Sequence, residues 1–391
     1  GDTFVTTWSN DVITEPNFTT AINGTPGELR ITLARPFENF GEDSDIKLNN
    51  RVECYVFDSD DQDGTLLYSG YISKYSPVID QGKEYLSLSI LPYASEIGRY
   101  ILRDSDGDTS LAYNSYDPSA IMQDVLNKLL EDGGSLKSTT NSITDTNTTV
   151  SYTFNMNTVK EAFEKCVQLC PANWWWAVGP DGTVYLQEKL TTVTHDLSIG
   201  QHIIYADSQK RVEGMVNRVY FTGGGDPPLY YIFERAGSIS TYGLYAKKIV
   251  DKRVVVAATA ETIAEKMLDE GQLPEVRTKL KIADNNGNAG GMGYDIESIK
   301  VGDTIRIKNL QYSSQTPSKW DEATWDESVW DYSLASISGA ALLVVKTKYR
   351  PNYLEVETSS RFPEVSKRIE DINRNMVDGQ TAENPATPST I

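Results

Sequence analysis

The spacing of apolar residues changes twice along this chain, and that change limits the fold more than any single motif. Over the first hundred residues the period is two. In GELRITLARPF, Leu29, Ile31 and Leu33 alternate with Arg30, Thr32 and Ala34, so alternate side chains fall on opposite faces of a strand. Arg51 to Phe57 predicts a second strand, Leu66 to Tyr75 a third after the Asp63-Gly64 turn, and Lys83 to Leu91 a fourth. Strands this short and this closely spaced predict a small barrel or sandwich.

The period then becomes helical. Asp117 before Pro118 reads as a helix cap with proline at the first helical position. Ile121, Met122, Val125, Leu126, Leu129 and Leu130 follow on one face, and Gly133-Gly134 stops the helix. The polar stretch Ser135 to Thr149 predicts a flexible loop. Thr158 and Glu161 have the spacing of a capping box. They open a second helix, with Val159, Phe163, Cys166, Val167 and Cys170 on one side and Pro171 at its end. Trp174-Trp175-Trp176 begins a hairpin that turns at Pro180-Asp181-Gly182 and returns through Thr183 to Glu188.

From about His195 the period of two resumes. Strands are expected at Met215–Thr222, Leu229–Phe233, Lys248–Ala257, Thr278–Ile282, Thr304–Ile307, Ala341–Lys348 and Tyr353–Glu357. One helix interrupts them, Thr259 to Gly271, buried through Ile263, Ala264, Met267 and Leu268. The fold class is therefore mainly β with an α+β insert, built from tandem β-barrel domains and ending in a short C-terminal helix.

Composition removes several functions. A net charge of −19 is the wrong sign for a chain that reads nucleic acid, which needs a neutralising basic surface. No run of apolar residues approaches the roughly 18–20 that a bilayer span requires, and GDTFVTTWSND has no basic segment followed by an apolar one. Three cysteines do not make a disulfide framework. Cys166 and Cys170 share a helix face, but a metal site would need two further soft ligands. His195 and His202 are the only histidines, which leaves few ways to build Ser-His-Asp or Cys-His chemistry. No catalytic residue, cofactor or metal is expected.

The motifs that invite a functional reading have plainer ones. Asp58–Gly64 and Asp104–Asp108 resemble calcium loops until the twelfth position is checked: Gly70 and Ser115 stand where glutamate is required. Both read as hairpin turns. Gly223-Gly224-Gly225 follows a strand, but Asp226-Pro227-Pro228 follows in place of a phosphate-loop spacing. The sequons at Asn17, Asn23 and Asn147 carry weight only with a secretory route.

WDEATWDESVWD is the least ordinary segment. Trp320, Trp325 and Trp330 recur every five residues, each before an aspartate, a period of neither helix nor strand. They are candidate contacts for a sugar or a partner protein, and the competing reading is an insertion that packs its indoles on its own barrel. At the end of the chain, Val365, Ile369, Ile372 and Met376 stand at spacings of four, three and four. That heptad-like seam is too short for a stable isolated helix, so it is expected to be buried, preferably as a threefold collar between copies. The segment VDGQTAENPATPSTI after it reads as a disordered tail or linker.

Several stretches, taken in order, resemble the baseplate hub, or tail-associated, proteins of bacteriophage tails. They are LRITLARPFENFGEDSDIKLNNRVECYVFD with LLYSGYISKYSP, VKEAFEKCVQLCPANWWWAVGPDGTVYLQEKL, VEGMVNRVYFTGGG, SIKVGDTIRIKNL, and ALLVVKTKYRPNYLEVETSSRFPEVSKRIEDINRNM. The resemblance runs over most of residues 28 to 376. It implies a domain order of 1–98, a first β-barrel; 99–190, an α+β middle domain; 191–362, a second β-barrel with a helix and the Trp-rich insertion; and 363–391, the C-terminal helix and tail. It also implies a homotrimer in the virion, at the tail tip or baseplate. There, two similar barrels per subunit would match a sixfold tail ring to a threefold tip. The partners implied are a distal tail or tube ring protein and a tail-tip, fibre or tape-measure protein. DNA would only pass through the channel. Residues 377–391 leave no room for the lytic domain that many relatives carry. The rival readings are a receptor- or glycan-binding tip module and a cell-wall hydrolase.

Overall fold

The computed structural model describes residues 12, 16–34, 46–57, 64–284, 293–308, 342–350 and 352–360. The chain is mainly β, with an α+β unit between two sheets. The expected C-terminal helix lies outside the described residues.

After a short strand β1 (Phe18–Ala21), the first sheet is built from β2 (Leu29–Leu33), β3 (Arg51–Val56), β4 (Thr65–Asp80) and β5 (Lys83–Pro92). Its order is β2-β5-β4-β3, antiparallel throughout. The alternation read from the sequence is the reason one face closes: Leu29, Ile31, Leu33, Leu86, Leu88 and Ile90 are all buried.

The middle unit holds β6 (Ser110–Tyr116) paired with β7 (Val150–Asn155), helices α1 (Pro118–Glu131) and α2 (Val159–Leu169), and the hairpin β8 (Trp174–Val178) with β9 (Val184–Glu188). Asp117 caps α1 by accepting from the Ser119 amide at 2.8 Å, and the full capping box of Thr158 and Glu161 opens α2. The Ser135–Thr149 stretch corrects the expectation of a flexible loop. It is strapped along β9, where the Val184 amide donates to Lys137 and the Leu186 amide to Ser142, both at 2.8 Å. The Thr146 hydroxyl returns to Asp117 at 3.0 Å. Polar composition marked a loop, but short hydroxyl side chains bond backbone as readily as water does.

The rest of the chain supplies β10 (His195–Ser198), β11 (Ile203–Arg211), β12 (Arg218–Gly223), β13 (Tyr230–Glu234), α3 (Ala236–Tyr242), β14 (Ala246–Asp251) and α4 (Ala257–Gly271). β15 (Glu275–Ala283), β16 (Thr304–Lys308), β17 (Leu342–Arg350) and β18 (Tyr353–Ser359) complete it. These elements divide between two cores. β12 and α4 join the middle unit, where Val219, Phe221, Ala260, Ala264 and Leu268 are buried with the side chains of α1 and α2. β13 and β14 flank β12 in a three-stranded sheet of order β13-β12-β14, while β10, β11 and β15 to β18 form a seven-stranded sheet of order β10-β16-β17-β18-β15-β11, with β1 added on β17. Its core is continuous with that of the first sheet. Phe18 makes the join, with its ring 5.2 Å from Tyr68 of β4 and 5.4 Å from Tyr349 of β17.

Two parts of the chain repeat one plan. β15-β18-β17-β16 has the strand order and directions of β2-β5-β4-β3. In each, the third strand in sequence carries one extra residue against the fourth: Ser73 in β4 and Val345 in β17.

Candidate assembly surfaces

The β8–β9 hairpin decides how the units meet, because its side chains alternate between two environments. Trp174, Trp176 and Val178 enter the middle core, and Trp176 stands edge-on to Phe163 with centroids 5.6 Å apart. Trp175 and Ala177 point the other way and pack with Ile22, Leu343 and Val345. Trp175 lies so close to Gly302 that a Cβ there would collide with the indole; with φ of 92°, that position takes glycine on both counts. Asn23 fastens the hairpin's backbone, accepting from the Trp176 amide at 3.1 Å and donating its own amide to Trp176 O at 2.7 Å.

Where the first sheet, this hairpin and the segment 293–303 approach one another, a cavity of about 500 Å³ remains. Its wall includes Leu66 and Leu67 at the start of β4, Trp175, Leu190, Glu297, Lys300, Asp303 and Tyr349. The Tyr349 hydroxyl donates to Glu297 at 2.8 Å. Burial pushes the Glu297 carboxyl up to about 7, against the Tyr349 hydrogen bond and with help from the charges of Asp284 and Asp295. A carboxyl raised in the folded state leaves stability intact below its unfolded value of 4.5 and loses it as pH climbs toward 7. With half of the group still solvated, the loss is about 1–2 kcal/mol after screening. Glu297→Gln is therefore expected to raise Tm at pH 8 and leave it unchanged at pH 4, as thermal melts at the two pH values would read. An equal effect at both would remove the carboxyl's charge as the cause.

The other polar groups singled out in the sequence have structural duties. His195 Nδ1 is 2.9 Å from the Tyr294 hydroxyl and Nε2 is 3.1 Å from Asp303, so the ring clasps the 293–303 segment to β10. Cys166 and Cys170 are buried, and burial raises both thiols, Cys170 to about 12. Such thiols are poor nucleophiles at neutral pH. Asp104 closes a turn by accepting from the amides of Asp106 at 3.0 Å and Asp108 at 2.8 Å. At the glycine triplet, a Cβ on Gly224 would strike the Lys252 carbonyl. The Gly224 carbonyl accepts from the Leu229 amide at 3.2 Å, which closes the turn. Among the described residues, no three His, Cys, Asp or Glu side chains group to hold a metal, and no helix is long and apolar enough to cross a membrane. Trp320, Trp325, Trp330, Val365, Ile369, Ile372 and Met376 lie outside the described residues.

Two exposed surfaces went unread in the sequence. Among the described residues, β2 and β3 pair with the base of the β4–β5 hairpin, which carries Val78 and Ile79, the latter 66% exposed, near its tip. The second is the face of the β13-β12-β14 sheet turned away from α4, where Tyr230 and Ile232 are exposed. The signal for the first was present. Tyr75 to Lys83 alternates less cleanly than a strand with one covered face.

This architecture, two sheets of matching plan around an α+β unit, has counterparts among solved structures. The chain is similar in fold to three solved structures. The prophage MuSo2 43 kDa tail protein from Shewanella oneidensis has 12% identity and a TM-score of 0.54 over 89% of this chain and 93% of that one. The tail protein from Neisseria meningitidis MC58 has 12% identity and a TM-score of 0.55 over 88% and 91%. The prophage tail protein gp18 from Listeria monocytogenes EGD-e has 10% identity and a TM-score of 0.51 over 94% of each chain. No protein-family model and no curated protein matches the chain.

Proposed function

We propose that this chain is a structural, non-enzymatic component of a phage tail, located in the virion at the tail tip or baseplate, where it acts as a trimeric hub. The observation that carries the reading is the repeated four-stranded plan, β2–β5 and β15–β18, within one chain. Three copies of a chain with two like units present six like surfaces around a threefold axis, which suits a joint between a sixfold tube ring and a threefold tip. The fold shared with three tail proteins over most of their length supports the same setting. In this role the hub closes the tube until a partner such as a tip, fibre or tape-measure protein is displaced, and DNA then passes along its channel. A net charge of −19 favours sliding of DNA over binding it.

Light scattering of the full chain across a concentration series tests the oligomer. A mass of three chains at high concentration is expected. A monomer at every concentration, and in the assembled particle, would remove the hub reading.

A further inference from the structure

The cavity beside the β8–β9 hairpin is charged unevenly. Among the described residues, Asp181, Glu297 and Asp303 line it against a single lysine, Lys300. Two of these acids are already matched. Asp181 meets Lys137 at 3.0 Å and accepts from the Thr183 hydroxyl at 2.7 Å. Asp303 accepts from the Lys300 amide at 2.7 Å and lies 3.1 Å from His195 Nε2. Glu297 differs from both. Its side-chain partner is the Tyr349 hydroxyl, a neutral donor at 2.8 Å. Among the described residues no basic group forms an ion pair with it, the exposed Lys300 included.

Burial and the charges of Asp284 and Asp295 oppose ionisation of Glu297, and a cation arriving from the cavity side is what would relieve it. The rest of the wall indicates what that cation carries. Phe18, Trp175, Tyr185 and Tyr349 contribute aromatic rings, and those of Phe18 and Tyr349 stack with centroids 5.4 Å apart. Such rings attract an ammonium or guanidinium group within about 6 Å. Leu67, Leu190 and Ile299 add apolar surface. The volume of about 500 Å³ falls within the roughly 300–1,000 Å³ of small-molecule sites. A metal ion asks for several ligating side chains together, and among the described residues no three His, Cys, Asp or Glu group in that way. The wall suits an organic cation.

We infer that this cavity binds a small organic cation, an amine or guanidine on an apolar stem. Its charged head meets Glu297, and its stem lies among the aromatic and aliphatic side chains. The wall is drawn from β4, the β8–β9 hairpin, the 293–303 segment and β17. A ligand there touches each part of the joint and stabilises their contact by mass action. The site goes beyond the hub reading and is complete within one chain, so a monomer would bind as a trimer does.

Benzylammonium is the probe, with benzyl alcohol as its neutral counterpart of similar shape, each titrated by calorimetry into the full chain at pH 8. The amine is expected to bind at least about tenfold more tightly than the alcohol. Glu297→Gln should remove that preference and leave the alcohol's affinity unchanged. The amine stays charged from pH 8 to pH 6, whereas the Glu297 carboxyl, pushed up to about 7, loses its charge over that interval. The amine's affinity should therefore fall about tenfold between the two. The groups that face Glu297 are Tyr349 on β17, Asp284 after β15, Asp295 and Lys300 on its own segment, and Asp303 with His195 behind it. A pH dependence that survives in Glu297→Gln comes from one of those and overturns the assignment. Equal binding of amine and alcohol, or binding of neither, overturns the site and leaves the hub standing. In the unaltered chain, a rise in Tm at pH 8 that is larger with the amine than with the same concentration of alcohol is the second expected result. Equal shifts would count against the site without recourse to any variant.

Discussion

Replacing Asp251 by Asn is expected to lower stability by about 3–5 kcal/mol at pH 7, the cost of leaving a buried cation without its partner. Asp251 ends β14 and meets Lys165 of α2 at 2.6 Å, with both side chains 8% exposed. Lys165 Nζ lies 4.7 Å from the Tyr152 ring centroid on one side, and the Arg253 guanidinium lies 5.0 Å from it. Burial works against both charges. It pulls the Lys165 ammonium below its ordinary range. At Asp251 burial pulls upward but is outweighed by Lys165 and Arg253, which hold the carboxyl below the usual carboxylate range. Because the Asp251 pKa is depressed in the fold, its contribution is present above the unfolded value near 3.8 and is lost as pH falls through the folded one. In Asp251→Asn the deficit should shrink as pH rises and Lys165 gives up its proton. Urea melts at pH 7 and pH 10 measure this, and a deficit that does not change between them would show that packing, not charge, is lost. Lys165→Met with Asp251→Leu should recover most of the stability, since an apolar pair of similar volume often replaces a buried ion pair without loss.

The second large effect separates two neighbouring tryptophans. Trp176→Ala is expected to cost about 3–5 kcal/mol, the usual range for emptying an aromatic site in a sealed core. Trp176 is fully buried against Phe163 and the rest of the α1–α2 core. Trp175→Ala removes as many atoms but enlarges a space that already exists beside it. The indole N–H of both residues is unpaired, so neither truncation loses a hydrogen bond, and the existing space alone brings the cost at Trp175 down to about 1–3 kcal/mol. Denaturant midpoints of the two variants read the difference. Equal losses would mean that the junction is packed as tightly as the middle core.

Much of this fold could be read from spacing alone. The strands at 29–33, 51–56 and 83–92 and the helices opened by Asp117 and Thr158 announce themselves through alternation and caps, because each satisfies its own backbone locally. β1, β6, β7, β10, β11 and the second helix among the later strands, α3, were not anticipated. In β11, Ile204 and Tyr205 are exposed while polar residues follow to Arg211, so an edge strand carries no clean period of two. Nor does the sequence reveal that β12 and α4 belong with the middle core, since an apolar stripe states that it is buried and not against what. The assembly surfaces were harder still. Glu297 looks like any glutamate until Tyr349, 52 positions away, is brought within 2.8 Å of it. The tryptophan and heptad residues that attracted attention first lie outside the described structure.

One pairing sets a timetable for the nascent chain. β1 has its partner in β17, with Phe18 opposite Tyr349 and Ala21 opposite Lys346. At about 5–20 residues per second, roughly 15–65 s separate the synthesis of these strands. The middle unit and the β2–β5 sheet are made of segments close in sequence and can form as they emerge. The seven-stranded sheet has to wait, with β10 and β11 also lacking β16 and β15. During that interval Phe18 and the open edges of the early strands are exposed, the circumstance in which chains pair with the wrong partner. Phe18 is made long before the strand that secures it, so the two halves of the joint become one core only after β17 has been made.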